Sequence, residues 1–187
     1  MTEALWALGR GTGVVALVMF SLSIALGIMA RSGRSFGLGR FGVQDVHRVT
    51  ALTGTGLVLL HVVSLFFDPY AQLTLIDSVV PFLGAYRPLW LGLGTLAVDL
   101  LIVITGVSLL RHRVGPRIFR TVHWAVYLLW PVAIIHAVGT GTDAATSWML
   151  GLVAACVATV GGAVAWRLMP SYAERGQRRI PRSVARG

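Results

Sequence analysis

Apolar residues come along this chain in five long blocks, each set off by a short stretch holding arginine, glycine, proline or aspartate. The blocks fall at about 12–30, 43–67, 88–110, 116–138 and 147–168. Each is near the ~20 residues that a helix needs to cross ~30 Å of hydrocarbon. Prolines punctuate them: Asp68-Pro69 stops the second, Pro88 and Pro116 sit in the first turns of the third and fourth, and Pro170 follows the fifth. Between the second and third blocks, residues 71–87 are apolar but interrupted by Asp77 and Pro81, which predicts a short interfacial or partly re-entrant outer helix. No internal repeat or low-complexity run stands out. The expected fold is all-α: a single-domain polytopic membrane bundle of five transmembrane helices plus that short helix.

Composition supports the membrane reading. Of the 187 residues 56% are hydrophobic and only 12% are charged, too few for the surface of a soluble domain of this length. The first block is long for the apolar core of a cleaved signal, and Ile28-Met29-Ala30 is a poor cleavage site. Cys156 is the lone cysteine, so neither a disulfide within the chain nor a thiolate metal site is expected.

Charge sets an orientation. All 16 basic residues are arginine, against 7 acidic ones. Nucleic acid is not the partner this excess implies, because the arginines lie in interhelical connections and the tail, where they set topology and meet anionic lipid. Fourteen of them fall on one side and two, Arg10 and Arg87, on the other. The C-terminus, with its basic tail at 169–187, is therefore expected in the cytoplasm and the N-terminus outside. Absence of lysine, with heavy Ala, Gly, Val and Arg usage, suggests a GC-rich bacterial genome and hence a multi-pass protein of a bacterial cytoplasmic membrane.

The chemistry concentrates in four histidines. His47 and His61 lie on the second block, 14 residues apart; His123 and His136 lie on the fourth, 13 apart. At ~1.5 Å per residue each pair spans ~20 Å, too far for one metal site yet within a ~30 Å core. Both blocks run in the same direction, so His47 comes level with His123 toward the cytoplasm and His61 with His136 toward the outside. Two imidazoles from separate helices at each level suit a six-coordinate haem. A zinc site would instead want histidines three or four apart with carboxylates or thiolates.

Fourteen residues at ~100° return His61 to within ~40° of His47's face, whereas thirteen leave His136 ~140° from that of His123. Pro131, which breaks the bond to the Tyr127 carbonyl, is expected to distort the helix and re-aim His136. Gly54, seven residues from both His47 and His61, offers close approach of porphyrin or of another helix. Trp130 lies at the depth between the levels, for haem packing or ordinary packing. Arg48 and Arg120 are candidate propionate contacts at the inner level and Arg87 at the outer one. Asp99 is charged within the third block, and His112 sits in an arginine-rich connection.

His47-x13-His61 and His123-x12-His136, on two spans separated by one, resemble the ferric reductase-like transmembrane domain family. That family includes the haem domains of ferric reductases and NADPH oxidases and the haem subunit serving bacterial methionine sulfoxide reductase. The resemblance covers roughly residues 12–168. It implies two b-type haems, the inner on His47 and His123 and the outer on His61 and His136. It also implies electron transfer from a cytoplasmic flavin to an outer acceptor such as a ferric chelate, oxygen or a redox protein. No dinucleotide fingerprint accompanies the histidines, since Gly9-Arg-Gly-Thr-Gly13 opens a spanning helix rather than following a strand. The expected donor is therefore a separate flavin or NAD(P)H reductase, or a quinol. Two other classes remain open at this point: a proton-conducting channel or transporter using Asp99 and the histidines, and a membrane anchor for a soluble redox enzyme.

Overall fold

A computed structural model of the chain describes residues 2–32, 40–68, 73–84, 87–141, 143–170 and 172. Most of the basic tail, with Arg175, Arg178, Arg179, Arg182 and Arg186, lies outside the described residues, as does Arg34. The secondary structure of the described residues is helical: α1 Thr2–Ser32, α2 Arg40–Phe66, α3 Pro88–Leu109, α4 Arg111–Trp124, α5 Val126–Thr140 and α6 Ser147–Leu168. Five stretches are long and apolar enough to cross a membrane, with α4 and α5 together making the fourth. The chain is a multi-pass helical membrane protein. Side chains such as Leu59, Ile102 and Leu128 are exposed on the bundle surface and meet lipid.

The first span begins ten residues earlier than its apolar block. Glu3 and Arg10 end the apolar run but are good helix residues, so α1 continues through them. Its extended end is tied down by Arg10, whose Nε donates to Asp143 at 2.5 Å in the α5–α6 connection and whose guanidinium lies over the Trp6 ring.

Two interruptions shape the fourth span. Gly115 takes φ 81° and ψ 164°, a conformation open essentially to glycine alone, and Pro116 restarts the helix where the apolar block begins. The second interruption lies at Ala125, not at Pro131 as expected. There the backbone tightens, with Ala125 N–H bonding Val122 O and Leu128 N–H bonding Ala125 O, both three residues apart. Pro131 itself stays inside α5. The tightened residues are centred at Ala125, six residues before Pro131.

Residues 73–84 form turns rather than the expected outer helix. Thr74 and Asp77 form a capping box, the Asp77 carboxylate accepting from the Thr74 N–H and hydroxyl at 3.0 and 2.7 Å and the Asp77 N–H donating to the Thr74 hydroxyl at 3.3 Å, but Pro81 disfavours helix in the residue before it and the turn does not continue. The segment is pinned to α3 by Thr95, whose hydroxyl donates to the Asp77 carbonyl at 2.6 Å.

α1 is the central element: it packs along α2 most extensively and also touches α6 and α5, while α3 packs on α5 and α4 and meets α2 only slightly. One buried cluster joins Ile24 and Ile28 of α1 to Val160 of α6, and another joins Leu101 and Ile104 of α3 to Leu129 of α5. Charge tethers close the far end: Arg167 donates to the Tyr127 hydroxyl at 2.8 Å and lies over the Trp124 ring, and the Tyr172 hydroxyl donates to the Ile28 carbonyl.

The Arg10–Asp143 pair is partly buried, so Arg10→Ala and Asp143→Ala should each lower thermal stability in detergent by about 1 kcal/mol. The exchanged double variant should recover part of the loss. Full additivity of the two single losses would show that the pair contributes nothing as a pair.

Candidate functional site

Both histidines of α2 turn toward α1. The Nδ1 of His47 lies 2.8 Å from the Ser23 carbonyl and 3.1 Å from the Ser23 hydroxyl. The Nδ1 of His61 lies 2.5 Å from the Gly9 carbonyl. Gly9 and Ser23 are 14 residues apart, as are His47 and His61, so the antiparallel pair keeps one register through both contacts. Fourteen residues make four turns at the ~3.5 residues per turn of a left-handed coiled pair, which removes the ~40° drift of a straight helix.

His136 of α5 turns toward α3. Its Nδ1 lies 2.8 Å from the Trp90 carbonyl and 3.2 Å from the Thr140 hydroxyl, which itself donates to the His136 carbonyl. A carbonyl oxygen only accepts, so in His47, His61 and His136 the proton sits on Nδ1 and the Nε2 lone pair is left open. Metal-ligating histidines are held in this way by an outer partner on the second nitrogen.

His123 is held differently. Its ring stacks on Phe119 of its own helix, with centroids 5.2 Å apart and planes at 26°, and its Nδ1 is buried without a hydrogen-bond partner. It faces His47 across the bundle at 6.2 Å between ring centroids, with the planes crossed at 78°. His61 and His136 lie 14 and 13 residues further along the same two spans.

The donor set fits a planar macrocyclic metal centre. Imidazole nitrogens bind transition-metal ions at about 2 Å with the ring centre roughly 1 Å behind, so two rings on opposite faces of one metal have centres about 6 Å apart. The His47–His123 separation of 6.2 Å matches. At the His47–His123 end two imidazoles face each other, and a haem, which brings four ligands in its own ring, would fit such a pair.

The other candidates fall into place less directly. Arg48, Arg87 and Arg120 are exposed; Arg120 folds back on the Pro116 carbonyl at 3.2 Å, and Arg87 adopts a left-handed backbone, φ 44°, as the residue before α3. The arginine that bears electrostatically on His123 is Arg31, at the end of α1. Gly54 lies against Phe20 and Met19 of α1, which makes it a helix-packing residue. Trp130 donates its indole N–H to the Ser21 hydroxyl at 2.9 Å and packs on Ile24, Ile28 and Val160, tying α5 to α1. Sequence reasoning did not single out the Gly9, Ser23 and Trp90 carbonyls, Phe119 or Arg31. One signal was present: the Gly9 to Ser23 interval repeats that of His47 and His61.

The family profile described as ferric reductase like transmembrane component matches residues 12–134. The match takes in His47, His61 and His123 and ends two residues before His136. No curated protein and no solved structure gives a significant match.

Because the His123 ring stacks on Phe119 and its Nδ1 has no hydrogen-bond partner, Phe119→Ala should loosen it while leaving the three carbonyl-anchored rings in place. In protein with labelled histidine rings, the His123 resonances should broaden or shift and those of His61 and His136 should not. An unchanged His123 signal would show that the stacking does not hold that ring.

Proposed function

The chain belongs to the ferric reductase-like transmembrane component family, and from that premise we propose that it is a di-haem b-type cytochrome carrying electrons across the membrane. The observation that carries the proposal is the facing pair His47 and His123, at the separation of two axial ligands, with His47 presenting Nε2. In this reading His47 and His123 hold an inner haem, and His61 and His136 an outer one.

Haem, when bound, would supply reversible one-electron chemistry, with His47 and His123 holding one group and His61 and His136 the other. The residues of the chain orient and insulate. The carbonyls of Gly9, Ser23 and Trp90 fix three rings, and the apolar bundle keeps water from the space between the levels. Arg31, in the last turn of α1, adds positive charge that bears on His123 of the inner pair.

By the arginine count, the His47–His123 end faces the cytoplasm of a bacterial cell. Arg48, Arg111, Arg113, Arg117 and Arg120 are exposed and give that end a cationic surface, which suits a separate acidic flavin or NAD(P)H reductase as well as anionic lipid. A quinol is the alternative donor. The acceptor at the outer end is a ferric chelate, oxygen or an extracytoplasmic redox protein. A proton-relay role for the histidines is disfavoured, because an imidazole whose Nδ1–H is held by a helix carbonyl must give up that bond to pass a proton through its ring.

Protein purified from haem-replete cells should show a reduced b-type spectrum. His61→Ala and His136→Ala should each lose about half of the haem absorbance and retain the inner component, while His47→Ala and His123→Ala lose the inner one. A wild-type protein without haem, or both haems retained in His61→Ala, would overturn the proposal.

A further inference from the structure

Three of the four histidines meet their partner helix through the same local arrangement. His61 gives its Nδ1–H to the carbonyl of Gly9; four residues on, a Cβ added at Gly13 would stand 3.0 Å from that Nδ1 and 3.1 Å from the ring's Cε1. His47 gives its Nδ1–H to Ser23, and a Cβ at Gly27, again four residues on, would stand 3.2 Å from Cε1. His136 gives its Nδ1–H to Trp90, and a Cβ at Gly94 would stand 2.6 Å from Cε1 and 2.8 Å from Nδ1.

The spacing has a physical cause. A helix carbonyl at position i already accepts the N–H of residue i+4, so a second donor must reach it from the side. Side chains at i and i+4 stand one above the other on the same face, so a Cβ at i+4 obstructs that approach and glycine opens it.

We propose that Gly13, Gly27 and Gly94 are positioning residues for the haem ligands. Each is a notch that admits an imidazole to the carbonyl one turn earlier, and so sets the tautomer that presents Nε2. The proposal rests on the reading of the histidines as ligands. Other glycines of these helices are also close-packed, Gly9 on Ser64, Gly54 on Phe20 and Gly92 on Phe82, but none of them stands four residues after a carbonyl that a histidine reaches, and Gly11, Gly56 and Gly106 have nothing within 4 Å of an added Cβ. His123 is the exception that agrees: no described glycine meets its ring, and its Nδ1 is the buried nitrogen without a partner.

The test compares Gly13→Ala, Gly27→Ala and Gly94→Ala with Gly11→Ala and Gly106→Ala as controls. Potentiometric titration and low-spin electron paramagnetic resonance read each haem separately. Losing the Nδ1–H bond makes the ligand less basic and stabilises the ferric state less. Gly27→Ala should therefore raise the midpoint of the inner haem alone, and Gly13→Ala and Gly94→Ala that of the outer haem alone. Haem affinity at the affected level should fall about 10–100-fold, most for Gly94→Ala, where the approach is tightest. The controls should not move.

Nitrogen resonances of ring-labelled histidine in haem-free protein give an independent readout: His47, His61 and His136 should be Nδ1-protonated, and each alanine variant should lose that preference at its own histidine. Gly27→Ala asks its neighbour to give by the least and decides the question should Gly94→Ala fail to accumulate. Unchanged potentials, spectra and tautomers in the variants, or equal shifts in the controls, would overturn the inference while leaving two bound haems intact. A wild-type chain that binds no haem would overturn the functional reading instead, and the tautomers would still judge the glycines.

Discussion

An imidazole inside an apolar bundle has one N–H that must be satisfied by the protein, because lipid offers no acceptor. For three of the four histidines the bundle meets that demand with helix carbonyls, and the arrangement of α1, α2, α3 and α5 follows from it. His47 and His61 bind α1 at Ser23 and Gly9, and this holds only if the antiparallel pair keeps a 14-residue repeat along its length. Small residues let the two backbones come close enough: Gly54 of α2 receives Phe20 and Met19, and Gly9 lies against Ser64. The consequence is chemical as well as structural, since a carbonyl on Nδ1 leaves Nε2 as the donor.

The second pair is built by other means because its spacing is 13 rather than 14. The tightened turn at Ala125 separates α4, which places His123, from α5, which places His136. Each residue wound at ~120° rather than ~100° adds ~20° of rotation, so a short tight turn moves His136 in the sense its spacing requires. The Trp90 carbonyl then fixes the ring, and the Trp90 indole crosses α5 at Gly139, where an added Cβ would overlap it. The α1–α2 pair and the α3–α5 pair form two halves with little direct contact between α2 and α3. Each end takes one histidine from each half, so a group bound by both would join the halves.

Five spans were legible from hydropathy, because length and apolarity are properties of a single helix crossing a fixed thickness, and spacing put His47 level with His123, which do face each other. Features that depend on the neighbouring helix were not. Gly54 drew attention by its place midway between two histidines, yet its neighbour is α1. The glycines that touch histidine rings lie on α1 and α3, and only the register of one helix against another brings them there. Interruption of the fourth span was foreseen from Pro131, but the backbone yielded at Ala125. The outer segment had enough apolar residues for a helix and a Thr74–Asp77 capping box to start one, but Pro81 stops it after a turn.

The central claim is that four histidines make two separate two-imidazole metal centres rather than one site or none. Its most direct measurement is the ratio of haem to chain in the purified protein, taken with the paramagnetic resonance spectrum of the oxidised form. Two haems per chain, both low-spin with two histidine ligands, are the result that the geometry predicts. One haem per chain, none, or a high-spin iron with an open position would contradict it.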